Sequence, residues 1–344
     1  MNKTKIALAC ASAMALSLGS AQLLAQGQPK VYGEVGAHVI SQDENDLATE
    51  ATSAVLGVKG MGRHNGVTAV YELEVDFANA ANHTSDVPDD ENEAQVSSAR
   101  LIFPTSYGSF VVAPKTPSSQ FSVLYGAVDI FETNSANAGN GVSTIFEQGD
   151  TSTHVLAYQT PVFGGAKALV AHLTSDDKTQ DEDMDILTWW LEWQAPTETA
   201  AEGLRLAAGQ VYFAEAVPNS ALAGSALAGQ GEEWTRTAFS AEYSLESFHL
   251  GFTYEDYARN DTDFGQASLA SVTSMGLAGS YTYDSYTLGV GYYDRDSEID
   301  TDDNNGVVVS VKKQVDENLL LYAENGTFDQ DGQSSFSLGA KLSF

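Results

Sequence analysis

Three acidic residues occupy every second position of one otherwise apolar stretch. They are Glu72, Glu74 and Asp76. On an extended strand, residues two apart point the same way and lie about 6–7 Å from each other. Such a row of carboxylates could attract cations along its face. Alternatively, Arg100 or Lys59 on a neighbouring strand could pair with one of them. The spacing leaves both interpretations open.

Other potentially reactive groups lack the spacing that their chemistry requires. Residues 300–306 (DTDDNNG) resemble a calcium loop, but Gly306 is at the seventh position instead of the sixth, and Val311 replaces the glutamate at the twelfth. The histidines have no paired spacing suited to zinc. A single cysteine excludes disulfides and cysteine-based zinc sites. No nucleophile can be paired with a base. We therefore predict no metal site, no cofactor and no enzymatic activity.

The composition narrows the class of protein. Acidic residues outnumber basic ones 47 to 16, and the net charge of −31 would repel phosphate backbones, so nucleic-acid binding is excluded. Only 18% of residues are charged, below the roughly 25% of typical soluble domains. With 15 Tyr, 15 Phe and 30 Gly against 8 Pro, the composition favours β-strands and turns over helices.

The N-terminus has the pattern of a secretory signal. Lys3 and Lys5 precede an apolar run over residues 6–18, and small residues follow at 19–21. We predict cleavage after Ala25, with an alternative site after Ala21. The predicted domains are therefore a signal peptide over 1–25 and one barrel domain over 26–344. No other stretch approaches the roughly 18 apolar residues of a membrane-spanning helix.

The rest of the chain alternates with a period of two. Over residues 67–77 one face is apolar and the other is nearly all carboxylate. A helix, with its period of 3.6 residues, would place both kinds of residue on the same face, so this pattern indicates a strand. Sixteen such segments are centred near residues 31–40, 53–60, 67–77, 95–103, 108–114, 153–160, 166–174, 184–194, 204–213, 235–244, 248–257, 272–283, 286–294, 305–313, 318–327 and 334–344.

The connections alternate between short turns, such as 61–66, 104–107 and 284–285, and long polar loops, such as 78–94, 214–233 and 294–304. This pattern predicts an all-β fold, a transmembrane antiparallel up-and-down β-barrel of 16 strands. A secreted soluble sandwich would also alternate. The polar faces, however, are rich in Gly, Ser and Thr, and aromatic residues lie near strand ends, as in membrane barrels.

Several segments resemble the Gram-negative general porin family. They are VYGEV at 31–35, AVLGVKG at 54–60 with GVTAVYELE at 66–74, THVLAYQTPVFGG at 153–165, and the terminal LSF at 342–344. The run SSARLIFPTSYGSFVVAPK, which ends at Lys115, resembles the segment before that family's constriction loop. Here Pro114-Lys115 replaces the usual Gly-Arg.

The resemblance implies that a third external loop, residues 116–151 by position, folds inward and narrows the lumen. It also implies that carboxylates in this loop face basic residues on the opposite wall. The acidic candidates are Asp129, Glu132, Glu147 and Asp150. The basic candidates, on the lumen side by alternation, are Lys59, Arg100 and Lys115. Opposed charges of this kind orient solutes and sort ions. Alternatively, the loop acids are merely solvated, and Lys59 and Lys115 lie away from the constriction.

The function implied is passive diffusion of ions and small hydrophilic solutes through a water-filled channel, with cation preference favoured by the excess of acids. The alternative is a substrate-selective channel, for a sugar or another small solute, on the same barrel. The aromatic residues on the lumen side, however, are scattered along the strand order; they are Trp190, Tyr293 and Tyr322.

The resemblance also implies where the protein acts and what it contacts. The location would be the Gram-negative outer membrane, in contact with lipid and lipopolysaccharide. The assembly would be a homotrimer, and Phe344 would be the signal read by the barrel-assembly machinery.

Overall fold

A computed structural model describes residues 29–42, 47–82, 93–136, 141–174, 185–197, 199, 201–214, 234–259, 271–298 and 302–344. The predicted signal peptide and much of the long loops lie outside these residues. The described residues form sixteen strands: β1 (Lys30–Gln42), β2 (Ala48–His64), β3 (Val67–Asp76), β4 (Gln95–Thr105), β5 (Gly108–Pro117), β6 (Thr151–Gln159), β7 (Ala166–Thr174), β8 (Asp185–Gln194), β9 (Leu204–Phe213), β10 (Trp234–Leu245), β11 (Phe248–Arg259), β12 (Val272–Tyr283), β13 (Tyr286–Ser297), β14 (Asn304–Gln314), β15 (Leu319–Phe328) and β16 (Ser335–Ser343).

The sheet closes on itself. Each strand pairs antiparallel with its neighbours in sequence, and β1 pairs with β16 from Glu34 opposite Ser343 to Gln42 opposite Ser335. Phe344 extends the closure, because its N–H donates to the Gly33 carbonyl at 3.0 Å. Closure leaves no strand edge unpaired. The predicted antiparallel barrel of sixteen strands is confirmed.

The two faces of the barrel differ in the way that the alternation predicts. On β13, Leu288 and Val290 are 55% and 54% exposed on the outer surface. Polar and charged residues of the other face, such as Ser274 and Glu324, are 1% exposed. A soluble protein would bury the apolar set. This barrel has an apolar outer surface and a polar inner surface, here called the polar face.

The hairpins at one end are tight. Asn65 and Gly66 connect β2 and β3 with φ of 50° and 86°, and two successive positive φ values are typical of a type I′ turn between twisted strands. The expected turn over 61–66 is therefore too long, because β2 continues to His64. Among the described residues, one α-helical turn, α1 (Ala78–Ala81), follows β3, and no helix is long and apolar enough to cross a membrane.

The hydrophobic core lies between the polar face and the connection from β5 to β6. The strands end at Pro117 and begin again at Thr151, so this connection comprises residues 118–150, here called the inner segment. Its Phe146 ring lies 5.2 Å from the Tyr125 ring and 6.5 Å from the Tyr293 ring of β13, between ring centroids. The core therefore joins the inner segment to the barrel.

Candidate functional site

The inner segment is attached to β8 and β9 where it begins. The Gln120 Nε2 donates to the backbone carbonyls of Trp189 and Gln210 at 3.1 and 3.0 Å. The indole N–H of Trp190 donates to the Ser119 Oγ at 3.1 Å. Side-chain amides that bond strand carbonyls hold a non-strand segment against a sheet whose own pairing is complete.

The next turn of the inner segment presents its backbone carbonyls to donors on successive strands. The pairs are Val123 with Arg205 at 3.1 Å, Leu124 with Thr253 at 2.7 Å, Ala127 with His249 at 2.9 Å and Val128 with Tyr293 at 2.7 Å. A carbonyl only accepts, so the His249 Nε2 carries a proton. These contacts extend from β9 through β11 to β13.

The tip of the inner segment is held by one buried carboxylate. Glu324 of β15 accepts the backbone N–H groups of Glu132, Thr133 and Asn134 at 2.6, 2.9 and 3.1 Å. Thr133 also shares a hydrogen bond of 2.6 Å with Ser337 of β16. Three N–H donors compensate the negative charge of a carboxylate that is 1% exposed.

Glu132 is the first of the predicted loop acids to have basic partners. Lys312 and Lys341 contact its two carboxylate oxygens at 2.6 and 2.5 Å. Burial by itself would raise the pKa of Glu132, but the two ammonium groups outweigh burial and lower that pKa to about 2. The carboxylate is ionised at neutral pH, and the two lysines offset its charge.

Glu147 occupies a similar position near the end of the inner segment. The Arg295 guanidinium donates to its carboxylate at 2.6 Å and to the Ile145 carbonyl at 3.1 Å. Arg236 donates to the Glu147 carbonyl at 2.7 Å, and the Glu147 N–H donates to the Glu255 carboxylate at 2.7 Å. Residues of β10, β11 and β13 therefore fix this end.

The other two loop acids have different surroundings. The Asp129 carboxylate accepts the Ala136 N–H at 2.7 Å, a bond that by itself lowers the pKa of Asp129. Burial outweighs that bond and raises the pKa to about 6. The Asp150 carbonyl accepts the Ser118 N–H at 2.6 Å and closes the base of the inner segment.

For Glu132 and Glu147, the basic side chains in contact are Arg295, Lys312 and Lys341 and not Lys59, Arg100 or Lys115. Arg295, Lys312 and Lys341 lie on the polar face beneath the inner segment. Alternation along β13, β14 and β16 could have placed all three on that face. Only the path of the inner segment shows that they meet the acids.

The predicted basic residues lie on β2, β4 and β5. The Arg100 Nε donates to the Glu72 carboxylate at 2.6 Å, so Glu72 has the cross-strand pairing proposed as one alternative. The Lys59 ammonium lies 4.5 Å from the centre of the Tyr32 ring. Lys115 is opposite Thr153 in the register of β5 and β6.

The other two carboxylates of the β3 row have neutral donors. The Tyr32 hydroxyl contacts Glu72 at 2.7 Å and Glu74 at 2.8 Å, and the Ser97 hydroxyl donates to Glu74 at 2.7 Å. Asp76 accepts an N–H at 2.8 Å at the start of α1. The row therefore differs along its length, with an ion pair at Glu72 and the Ser97 hydroxyl at Glu74. The single proton of the Tyr32 hydroxyl is shared between the two.

A second row of ionisable side chains crosses β7 to β11, and the sequence analysis does not predict it. Glu192 lies 3.4 Å from Lys167 and 3.8 Å from Arg205. Arg205 donates to Glu242 at 2.8 Å, and His249 lies 3.7 Å from Glu242. Alternation places each residue on the polar face, but the strand register determines that they are neighbours.

The scattered aromatic residues of the polar face are covered. Trp190, Tyr293 and Tyr322 are each at most 5% exposed, and the first two donate to the inner segment. These three do not form an aromatic track along an open wall. In the described part of the chain, no group of three or more His, Cys, Asp or Glu side chains could hold a metal ion.

Comparisons with known proteins agree with this architecture. A family model described as Gram-negative porin matches residues 6–333. Similar solved structures include OmpF of Salmonella typhi in complex with daunomycin (TM-score 0.73, 12% identity, covering 93% of this chain and 98% of that one). An anion-selective porin from Comamonas acidovorans has a TM-score of 0.69 at 12% identity, covering 92% of this chain and 99% of that one.

The trimer form of OmpT, an outer membrane protein of Vibrio cholerae, has a TM-score of 0.66 at 16% identity, covering 93% of this chain and 100% of that one. Curated protein sequences gave no significant match. At these identities the structural likeness shows a shared fold, whereas the family model covers most of the chain. The chain belongs to the Gram-negative porin family and forms an outer-membrane β-barrel channel.

Proposed function

We propose that ions and small hydrophilic solutes diffuse passively through this barrel, and that the inner segment constricts the passage. One observation supports the proposal. The inner segment contacts polar-face residues on every strand from β8 to β16, including Trp190, Ser274 and Ser337. Thr133 also contacts His38 of β1 at 3.1 Å. A segment attached over this much of the wall would narrow the lumen towards β2–β7.

We further propose a cation preference, to which Glu74 contributes more than the acids of the inner segment. Glu132 and Glu147 have basic partners within 2.6 Å that offset their charges. The donors to Glu74 described above are hydroxyls, which leave the negative charge of its carboxylate in place. The net charge of −31 favours the same preference.

The test is planar-bilayer conductance of the purified protein, with the reversal potential measured across a KCl gradient. We expect large ohmic steps and a reversal potential that favours potassium. Glu74→Gln should move that potential towards zero, because it removes a negative charge whose hydrogen-bond donors are neutral hydroxyls. Asp284→Asn, which makes the same change of charge in a hairpin turn where φ is 55°, is the matched control and should leave it unchanged.

Each other outcome overturns part of the proposal. A reversal potential that favours chloride would contradict cation preference and assign control to Lys59, Arg100 and Lys115. The absence of steps from a folded, heat-modifiable barrel would contradict passive diffusion.

We propose that the channel is a homotrimer. The solved trimer form of OmpT and the apolar outer surface support this assembly. Outer-membrane lipid and lipopolysaccharide would contact the rest of that surface. Phe344, which is 61% exposed, would be read by the barrel-assembly machinery after cleavage of residues 1–25. Light scattering of the detergent complex should give three chains, and a mass of one chain would contradict the trimer.

A further inference from the structure

One lysine lies on the outer surface of the barrel. Lys313 of β14 is exposed and alternates in step with Val309 and Val311, which are 47% and 46% exposed on that surface. Its neighbour Lys312 points to the polar face, where it pairs with Glu132 at 2.6 Å. Among the strand lysines and arginines whose side chains the structure describes, alternation places only Lys313 outside. Within those residues, the apolar wall therefore carries one cation.

Lys313 lies at the end of the wall that has the short turns, which face the periplasm in outer-membrane barrels. It is opposite Tyr286 of β13, which follows the turn at residues 284–285. From Lys313 to Asn305 the strand rises about 26 Å, which a tilt of about 40° reduces to roughly 20 Å across the membrane, near the ~25 Å apolar band of such barrels. Asp294, opposite Asn305, marks the other edge of the band. Lys313 is therefore level with the headgroups of the periplasmic leaflet.

The residues around Lys313 suit a phospholipid headgroup. The Lys313 ammonium lies 5.3 Å from the centre of the Tyr286 ring, and it forms no ion pair with a carboxylate in the described part of the chain. Tyr283, opposite Tyr286 across the turn, is 74% exposed, and Leu321, opposite Lys313 on β15, is 41% exposed. At this depth, lysine and tyrosine present donors to the headgroup layer, and the leucine presents an apolar surface to acyl chains. The ammonium is therefore available to a phosphate.

Carboxylates on the outer surface of the neighbouring strands lie at the opposite end of the barrel. On β11 and β13 they are Asp256, Asp294 and Asp296, next to the long loops. The Asp316 carboxylate, in the turn after β14, accepts two N–H groups of its own turn at 2.8 and 2.9 Å. A second copy of the barrel with the same orientation in the membrane would therefore bring none of these strand carboxylates to the level of Lys313. A lipid phosphate would supply a negative charge at that level.

We propose that Lys313, Tyr286 and Tyr283 form a headgroup site for an anionic phospholipid of the periplasmic leaflet, whose phosphate pairs with the Lys313 ammonium. The acyl chains lie along the outward residues of β13 to β15, such as Val311. The site is on the outer surface, so it does not depend on diffusion through the lumen. Lipid binding and conductance are therefore separate measurements, and either can fail without the other.

The experiment is native mass spectrometry of the folded barrel, released from detergent, with dioleoylphosphatidylglycerol or dioleoylphosphatidylcholine added at known concentrations. The two lipids have the same acyl chains, but only the first has a net negative charge. We expect the wild type to bind phosphatidylglycerol more tightly. Lys313→Gln should weaken that binding about fivefold, the effect of one basic residue at an anionic surface. Lys313→Arg should retain it, and heat-modifiable gel migration checks the folding of each variant.

The matched control is Lys115→Gln, which makes the same change of charge on the polar face of β5 and should leave phosphatidylglycerol binding unchanged. An equal loss in Lys115→Gln and Lys313→Gln, or an unchanged affinity in Lys313→Gln, would overturn the site. Equal binding of the two lipids by the wild type would overturn the preference for an anionic headgroup. A change in the number of chains per assembly in Lys313→Gln, with lipid binding unchanged, would assign Lys313 to a contact between copies instead.

Discussion

The charged residues on the two sides of the lumen wall find partners of different kinds. On β8–β16, buried charged residues such as Glu324 and Arg295 bind the inner segment, largely through its backbone. On β2–β4, charged residues pair with other side chains of the wall, as Arg100 does with Glu72. The first set holds a segment in place, and the second surrounds the proposed passage.

One polar surface therefore serves two purposes in this barrel. Contacts beneath the inner segment are shielded from water, so each lost partner leaves a charge or an N–H group uncompensated. The Arg100 and Glu72 side chains are 14% and 13% exposed, against 9% and 4% for Arg295 and Glu147, so water can replace more of a lost contact at Glu72 than at Glu147. We therefore expect a substitution of a given type to lower the free energy of unfolding more on β8–β16, beneath the inner segment, than on β2–β4.

The largest effect is expected for Arg295→Met. It leaves Glu147, whose side chain is 4% exposed, as a buried carboxylate without its 2.6 Å partner. Breaking a buried ion pair costs about 3–5 kcal/mol. Arg100→Met is the counterpart on the open wall and should cost about 1.5–3 kcal/mol, because Glu72 keeps its Tyr32 donor. Urea unfolding measures both, and equal losses would contradict the comparison.

The second effect is a pH dependence of the inner segment. Asp129 has a pKa of about 6, raised by burial from 3.8. Between those values the folded carboxyl binds a proton that the unfolded chain has released. Stability should therefore rise as pH falls from 7 to about 4, by about 3 kcal/mol. Asp129→Asn should remove this rise, and urea unfolding at pH 4.5 and 7.5 measures it.

Glu132 sets the lower limit of that pH range. Its pKa of about 2 lies below its ordinary 4.5, so its stabilisation is present above pH 4.5 and is lost as pH falls towards 2. Together the two residues predict maximal stability near pH 4–5. The prediction would be contradicted if the wild-type barrel had the same free energy of unfolding at pH 7.5 and at pH 4.5, and if Asp129→Asn did not alter this pH dependence.

A smaller effect is expected for Glu324→Gln. The amide keeps the shape of the side chain but turns a donor towards one of the three N–H groups that Glu324 accepts. The cost is about 1–3 kcal/mol. Hydrogen exchange at residues 132–134 should accelerate, and single-channel conductance should increase as the tip is released. Glu74→Gln, on β3, should leave that exchange unchanged. Acceleration in both variants would contradict the comparison between the two sides of the wall.

Alternation along the chain was sufficient to predict the barrel. Apolar residues such as Leu288 and Val290, set two apart, already determine which face of a strand is outward. Short turns that alternate with long loops along the chain then indicate an up-and-down topology. These are local properties, and a sequence contains them directly. The alternation pattern ends β2 too early, because the turn is formed by Asn65-Gly66 alone and not by residues 61–66.

The partners within the site depended on the tertiary structure. Glu132 meets Lys312 and Lys341, which are far along the chain, because the inner segment crosses to β14 and β16. Alternation could place both lysines on the polar face, but it contains no measure of depth or register. Local alternation is thus enough to specify a charged lumen inside an apolar wall. Which charges compensate each other was decided only where the inner segment packs, since that packing joins residues that no local periodicity relates.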